Sequence, residues 1–184
     1  MMSLQTSISI IIPFAMIGAG LKYIDDAFDE GRHSKRVAAL IALFVVIVAG
    51  ILAIEDISSR TILFSIFFSV LIAGKVDNLV FKLSSIAFLL LFFLFFCLYD
   101  KMNFLWIPLF ILTITGVIDE KGNDYIEKNR TNGILNFFFE YRFSMKIVMF
   151  FVCALQFLPW LYLFAFLAFD GAYEAVRIFG KMVG

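Results

Sequence analysis

Asp25-Asp26, Asp77-Asn78 and Asp119-Glu120 each follow a β-branched residue at the end of a mostly apolar stretch. Carboxylates gathered at one mouth of a helical bundle can hold a divalent cation, and a cation so held binds phosphate. The first segment carries Lys22, Asp25, Asp26, Asp29 and Glu30, followed by Arg32, His33, Lys35 and Arg36. On a continuing helix Asp25 lies beside Asp29, and Asp26 beside Asp29 and Glu30. Their repulsion is relieved by a bound cation, by the basic run behind them or by solvation. Magnesium suits this composition, because it takes one or two carboxylates, several waters and phosphate oxygens. The third segment repeats the mixture, with Asp119, Glu120 and Asp124 among Lys121, Lys128 and Arg130. Converging on one diphosphate, the two segments would offer Asp25, Asp26, Asp29, Asp119 and Asp124 to the metal. Lys22, Lys35, Arg36, Lys121 and Arg130 would meet the phosphate oxygens. Glu30, Asp77 and Glu120 complete the acidic face.

The elements that position these groups belong in lipid. A hydrophobic content of 62% over 184 residues, with a mean hydropathy of +0.98, exceeds what a small domain can bury in water. The expected fold is all-α, a polytopic bundle forming one transmembrane domain over 1–184. Apolar runs at 6–21, 37–54, 61–74, 84–99, 103–118 and 147–169 predict six spans, with five or seven as the alternatives. Beyond them, the charges of 170–184 recur at helical spacing and predict an amphipathic surface helix. Ile134 to Phe139 predicts a short interfacial helix, and Gly122-Asn123 a turn. Two spans separate successive acidic segments, so the fold reads as three helical hairpins or as spans capped singly by Asp.

Basic residues set the expected orientation. Eleven of the 15 Lys and Arg fall in linkers after spans 1, 3 and 5, against Arg60, Lys101, Arg177 and Lys181 elsewhere. By the positive-inside bias the chain is a multi-pass cell-membrane protein with its Asp-rich loops cytoplasmic and both termini outside. The first apolar run lacks a preceding Lys or Arg and so reads as a span, not a cleaved signal. A net charge of zero with no basic stripe gives nucleic acid nothing to bind.

Asp25-Asp26-Ala-Phe-Asp29 with Lys35-Arg36, and Asp119-Glu120-Lys-Gly-Asn-Asp124 four spans later, resemble the two Asp-rich loop motifs of the UbiA superfamily of intramembrane prenyltransferases. The resemblance implies a magnesium-dependent transferase acting on an isoprenoid or other lipid diphosphate. It covers some 30 residues, against a family pattern of about nine spans, and lacks the leading Asn and the final Asp of the first motif.

Other chemistries find less support. His33 is the only histidine and sits among cations. Cys97 and Cys153 fall at opposite depths, too far apart for a disulfide. No Asp, Glu, Lys or Arg occupies mid-span, as proton-coupled carriers require. Pro13, Pro108 and Pro159 lie within the predicted spans, where kinks open cavities, and Gln156 stands one turn before Pro159. Two further readings stay open beside the enzyme. One is a small transporter or channel using Asp25, Asp77 and Asp119 as a cation vestibule. The other is a noncatalytic membrane subunit whose loops dock a membrane or cytosolic protein partner.

Overall fold

The computed structural model describes residues 4–28, 31, 33–76, 79–99, 103–129 and 133–183. It is all-α, as the apolar periodicity requires, with no strand among the described residues. The helices are α1 (Leu4–Phe28), α2 (Lys35–Glu55), α3 (Ile57–Ala73), α4 (Leu79–Tyr99), α5 (Trp106–Asn129), α6 (Ile134–Glu140), α7 (Phe143–Ala154) and α8 (Trp160–Val183). Three stretches are long and apolar enough to cross a membrane: Ser7–Phe28, Lys35–Glu55 and Leu79–Leu98. Ile57–Ala73 and Phe143–Ala154 are apolar but shorter.

Two predicted boundaries move for identifiable reasons. The turn expected at Gly122-Asn123 is absent, and α5 runs unbroken through its acidic residues to Asn129. Gly122 serves packing instead, since a Cβ there would overlap the Phe139 ring of α6. The stretch 147–169 is not one span. It is divided by a turn over 155–159, in which Gln156 adopts a left-handed φ of 62°. Gln156 N–H donates to Cys153 O at 3.0 Å and Phe157 N–H to Val152 O at 3.0 Å, closing the end of α7. Among the prolines only Pro13 sits deep inside a helix. Pro108 occupies the first turn of α5, where its missing N–H costs nothing, and Pro159 precedes α8.

That turn changes where the chain ends. On α7 and α8, Lys146 Nζ pairs with Asp170 at 2.7 Å and Phe150 packs on Trp160, so the two helices are antiparallel. Between α1 and α8, Gly18 meets the Phe169 carbonyl and Lys22 meets Tyr173, so these helices run parallel. A Cβ on Gly18 would overlap that carbonyl, so Gly lets the two backbones touch. Leu4 and Val183 therefore lie at opposite ends of the bundle. Residues 170–183 of α8 thus lie at the acid-bearing end of the bundle.

The core explains the remaining placements. Phe64 of α3 gathers Phe88 and Phe92 of α4 and Phe104 before α5, with ring centroids 4.5 to 5.2 Å away. Phe93 and Phe96 on the same helix α4 point outward. Gly50 admits Leu91, seating α4 against α2. Gly116 admits Ser69, whose Cβ would stand 2.6 Å from an added methyl, drawing α3 close to α5.

The antiparallel α7–α8 pair makes a topological prediction. Thiols introduced at Asn129 and Met182 should label from one side of sealed vesicles, and a thiol at Glu55 from the other. Labelling of Met182 together with Glu55 would restore the single span 147–169.

Candidate functional site

Two polar clusters lie at opposite ends of the bundle. At the end away from the acidic segments, Asp56 is the single residue between α2 and α3. Its Oδ2 accepts from Ser59 N–H at 2.5 Å, capping α3, and its Oδ1 accepts from the Tyr162 hydroxyl of α8 at 2.9 Å. Arg60, only 5% exposed, donates Nε to Ala53 O at 2.6 Å, Nη2 to Ile54 O at 2.9 Å and Nη1 to Asn103 O at 2.8 Å. It thereby satisfies carbonyls freed where α2 ends and ties α2, α3 and the entry to α5 together. Leu105 N–H donates to Thr61 Oγ at 3.3 Å in the same corner. The guanidinium is spent on backbone, so this cluster is architectural.

At the acid-bearing end the charges form a chain across five helices, α1, α5, α6, α7 and α8. Tyr173 of α8 stands between two cations, with Lys22 Nζ 5.6 Å and Arg142 Cζ 4.5 Å from its ring centroid. Arg142, left-handed at φ 50° in the corner between α6 and α7, reaches Glu120 of α5 at 2.9 Å. Lys146 holds Asp170, and Arg177 holds Glu174 at 2.6 Å and Glu140 of α6 at 3.3 Å. Tyr173 thus links the first acidic segment to the third.

The predicted metal ligands divide into two kinds. Asp119, 1% exposed, accepts from Met145 N–H at 2.8 Å and Ser144 N–H at 3.2 Å and so caps the start of α7. Asp124 is paired with Lys75. Burial opposes the charge on Lys75, but the hydrogen bond and charge of Asp124, with Glu120 and Glu127 nearby, hold its ammonium above the ordinary lysine range. Glu120 is held by Arg142. These carboxylates of the third segment are committed to joining α5 to its neighbours.

Asp25 and Asp26 are not so committed. Both face Lys22, whose Nζ lies 2.6 Å from Asp25 Oδ2 and 2.9 Å from Asp26 Oδ1. Asp26 is fully buried, with the Lys22 ammonium as its ion-pair partner. Two carboxylates match the number magnesium takes from a protein, and here both are occupied by the Lys22 ammonium. Among the described residues, no three carboxylate, imidazole or thiol groups come close enough to share one ion.

The predicted phosphate ligands scatter likewise. Lys121 donates to Ala73 O at 2.9 Å, capping the end of α3. Lys35 and Arg36 are exposed at the start of α2, with Lys35 Nζ 5.6 Å from the Phe28 ring centroid. Asp29, Glu30, Asp77 and Arg130 lie outside the described residues. His33 stacks on Tyr23, centroids 4.3 Å apart, and takes no part in the ion pairs above.

Two cavities flank these networks. One of about 30 Å³ lies between α3, α5, α7 and α8 and is lined by Ser69, Asp119, Glu120, Arg142 and Asp170 among others. It has room for about one water. An apolar groove of about 450 Å³, lined by Leu90, Leu91, Phe93, Leu94 and Cys97, runs along α4 toward its far end. Cys97 is exposed there, while Cys153 is buried, and both are free thiols.

Sequence reasoning missed Asp170, Tyr173 and Arg177 as members of the charged end, whereas Arg142 and Lys146 are among the eleven basic residues it placed beside the acidic segments. The visible signal of α8 was the stripe of Asp170, Glu174, Arg177 and Lys181, read as a separate surface helix; in the structure 170–183 continues α8, and Asp170, Glu174 and Arg177 join the ion pairs of the acid-bearing end. No family model, curated protein or solved structure matches this chain.

The division of carboxylates is testable by stability. Asp119→Ala leaves the first amides of α7 without their acceptor in a buried corner and should cost ~1–3 kcal/mol, seen as a lowered thermal midpoint. Asp25→Ala, at a half-buried position with one ion pair, should cost ~0–1 kcal/mol. Equal losses would remove the distinction between structural and available acids.

Proposed function

We propose that this chain is a multi-pass cell-membrane protein that binds a phosphate-bearing lipid at its cytoplasmic end. The most concrete form is a magnesium-dependent enzyme acting on a prenyl diphosphate. The observation that carries the reading is a surplus of acid at the end of an apolar helix, where Asp25 and the fully buried Asp26 share the single ammonium of Lys22, 2.6 and 2.9 Å away. A carboxylate in that position is costly unless a cation is close. Asp25 and Asp26 would hold the metal, which would supply charge neutralisation for the diphosphate. Lys35 and Arg36, exposed across the intervening loop, would meet its remaining oxygens. The likeness of Asp25-Asp26-Ala-Phe-Asp29 to a prenyltransferase loop motif supports the same chemistry. The third acidic segment then acts as scaffold, because its carboxylates are used in capping and pairing.

Orientation gains support from the return of α8. Moving Arg177 and Lys181 to the acid-bearing end leaves Arg60 and Lys101 as the sole basic residues assigned by chain position to the other. Thirteen against two is a stronger positive-inside bias than the apolar runs alone suggest.

A second reading, a cation-conducting vestibule, is favoured by one observation: a lysine already sits where a mobile cation would. The two separate in one experiment on the protein in detergent, following thermal stabilisation by geranylgeranyl diphosphate in millimolar magnesium. Wild type should be stabilised only when magnesium and diphosphate are both present, Asp26→Asn should lose most of the shift, and Asp124→Asn should keep it. Stabilisation by magnesium alone, unaffected by diphosphate, would favour the vestibule. No magnesium-dependent shift by diphosphate in wild type would overturn the enzyme.

A further inference from the structure

Resting on the reading of this chain as a multi-pass membrane protein, we infer that lipid hydrocarbon covers the outward face of α8 along its whole length, so that the ion pairs of the acid-bearing end lie inside the membrane. Trp160, Phe164, Leu167, Gly171, Ala175 and Ile178 are all exposed and follow one another at steps of three and four residues. They form one stripe on a single side of the helix, which Met182 extends by another turn. No charge interrupts it. Asp170 is buried and turned inward to Lys146, while Glu174 and Arg177 pair with each other and Arg177 also with Glu140. Gly180 is buried, so α8 stays packed on the bundle up to its last turn. The half of the stripe beyond Asp170 therefore continues the apolar half before it without a change of face. A surface that meets hydrocarbon at Phe164 and Leu167 meets it again at Ile178 and Phe179.

Lengths support the same boundary. Trp160 to Met182 rises ~33 Å, enough to cross a hydrocarbon core, whereas a membrane ending at Asp170 would hold only ~15 Å of α8. The outward side of α5 gives an independent measure. Trp106, Phe110, Ile114, Ile118 and Tyr125 are exposed along it, and the one charged residue among them, Lys121, is bent to the Ala73 carbonyl. Trp106 to Tyr125 rises ~28 Å. Trp and Tyr gather at the two lipid–water boundaries. Both tryptophans of the chain open helices at the far end, Trp106 on α5 and Trp160 on α8, and Tyr125 stands exposed at the other. Asp119 then lies about 9 Å to the membrane side of Tyr125 along α5. Charges at such depth persist when they are paired and turned away from lipid. That is the arrangement found, with Asp119 on the first amides of α7, Glu120 on Arg142 and Asp170 on Lys146.

Depth-dependent fluorescence quenching tests this in the full chain reconstituted in phosphatidylcholine vesicles. With Cys97→Ala removing the exposed thiol, a thiol-linked fluorophore is placed at Gly171→Cys, where added atoms meet open space, or at Ile178→Cys. Phe93→Cys on the outer side of α4 and Ser34→Cys before α2 serve as the lipid and water references. Lipids brominated along their chains should quench positions 171 and 178 about as strongly as position 93. Bromines near the chain ends should act most at 171, and bromines near the headgroup most at 178. Aqueous iodide should quench both severalfold less than position 34. Ala175→Cys, on the same stripe, serves if either variant does not fold. Iodide quenching at 178 equal to that at 34 would place 170–183 in water and overturn the inference. Shielding of the stripe from both quenchers would also overturn it, because another protein surface would then cover α8. Brominated lipid acting at 93 but not at 171 and 178 would leave the membrane reading standing, and its failure at 93 as well would overturn both.

Discussion

The contact of the Arg142 and Lys22 cations with the Tyr173 ring is the interaction on which the charged end depends. Without a residue of α8 at that place, the acids of α1 and the acids of α5 would stand on separate helices with no bridge between them. Tyr173 reaches it because α8 runs parallel to α1 with Gly18 against the Phe169 carbonyl, which fixes the register one turn earlier. A small residue sets the distance, the distance sets the register, and the register delivers the aromatic ring. The neighbouring ion pairs of Lys146 with Asp170 and Arg177 with Glu140 then draw α7 and α6 onto the same face. Substituting Gly18 would therefore act on charges a full turn away.

The two ends of the bundle solve the same problem in different ways. Backbone carbonyls at a helix end need donors, and buried donors need acceptors. At the far end one residue, Arg60, meets this need for α2 and for the entry to α5, and Asp56 does so for α3. Little charge is left over. At the other end Asp119 and Lys121 perform the equivalent caps for α7 and α3, but more carboxylates are present than caps require. A surplus of acid remains. It falls on α1, where Asp25 and Asp26 have no amide to serve and share one lysine.

Much of the fold was legible because apolar runs in this chain are sharply bounded. The runs at 37–54 and 84–99 lie within α2 and α4, since nothing in a bilayer-compatible stretch competes with the helix for its backbone bonds. Legibility failed where one residue type had two uses. Gly122 beside Asn123 reads as a turn, yet its lack of a side chain serves the Phe139 ring. Gln156 reads as partner to a backbone freed by Pro159, yet it supplies the left-handed residue that reverses the chain between α7 and α8. Hydropathy passes through 155–159 without a break, because Leu155, Phe157 and Leu158 are apolar inside the turn.

The same ambiguity decides how the candidate site was read. Asp119 and Asp124 look identical to Asp25 and Asp26 in composition, each following an apolar run and each close to lysine. What separates them is the neighbour in space. Asp119 meets the amides of Ser144 and Met145, which are 25 and 26 residues away in sequence, and Asp124 meets Lys75, 49 residues away. Lys22 is three and four residues from its acids on a single helix, a spacing that sequence alone reveals. A local pair can exchange partners without unpacking the bundle, whereas a pair that joins two helices cannot. Acids bound across long separations hold the fold, and the acids of α1 answer to a single lysine on their own helix.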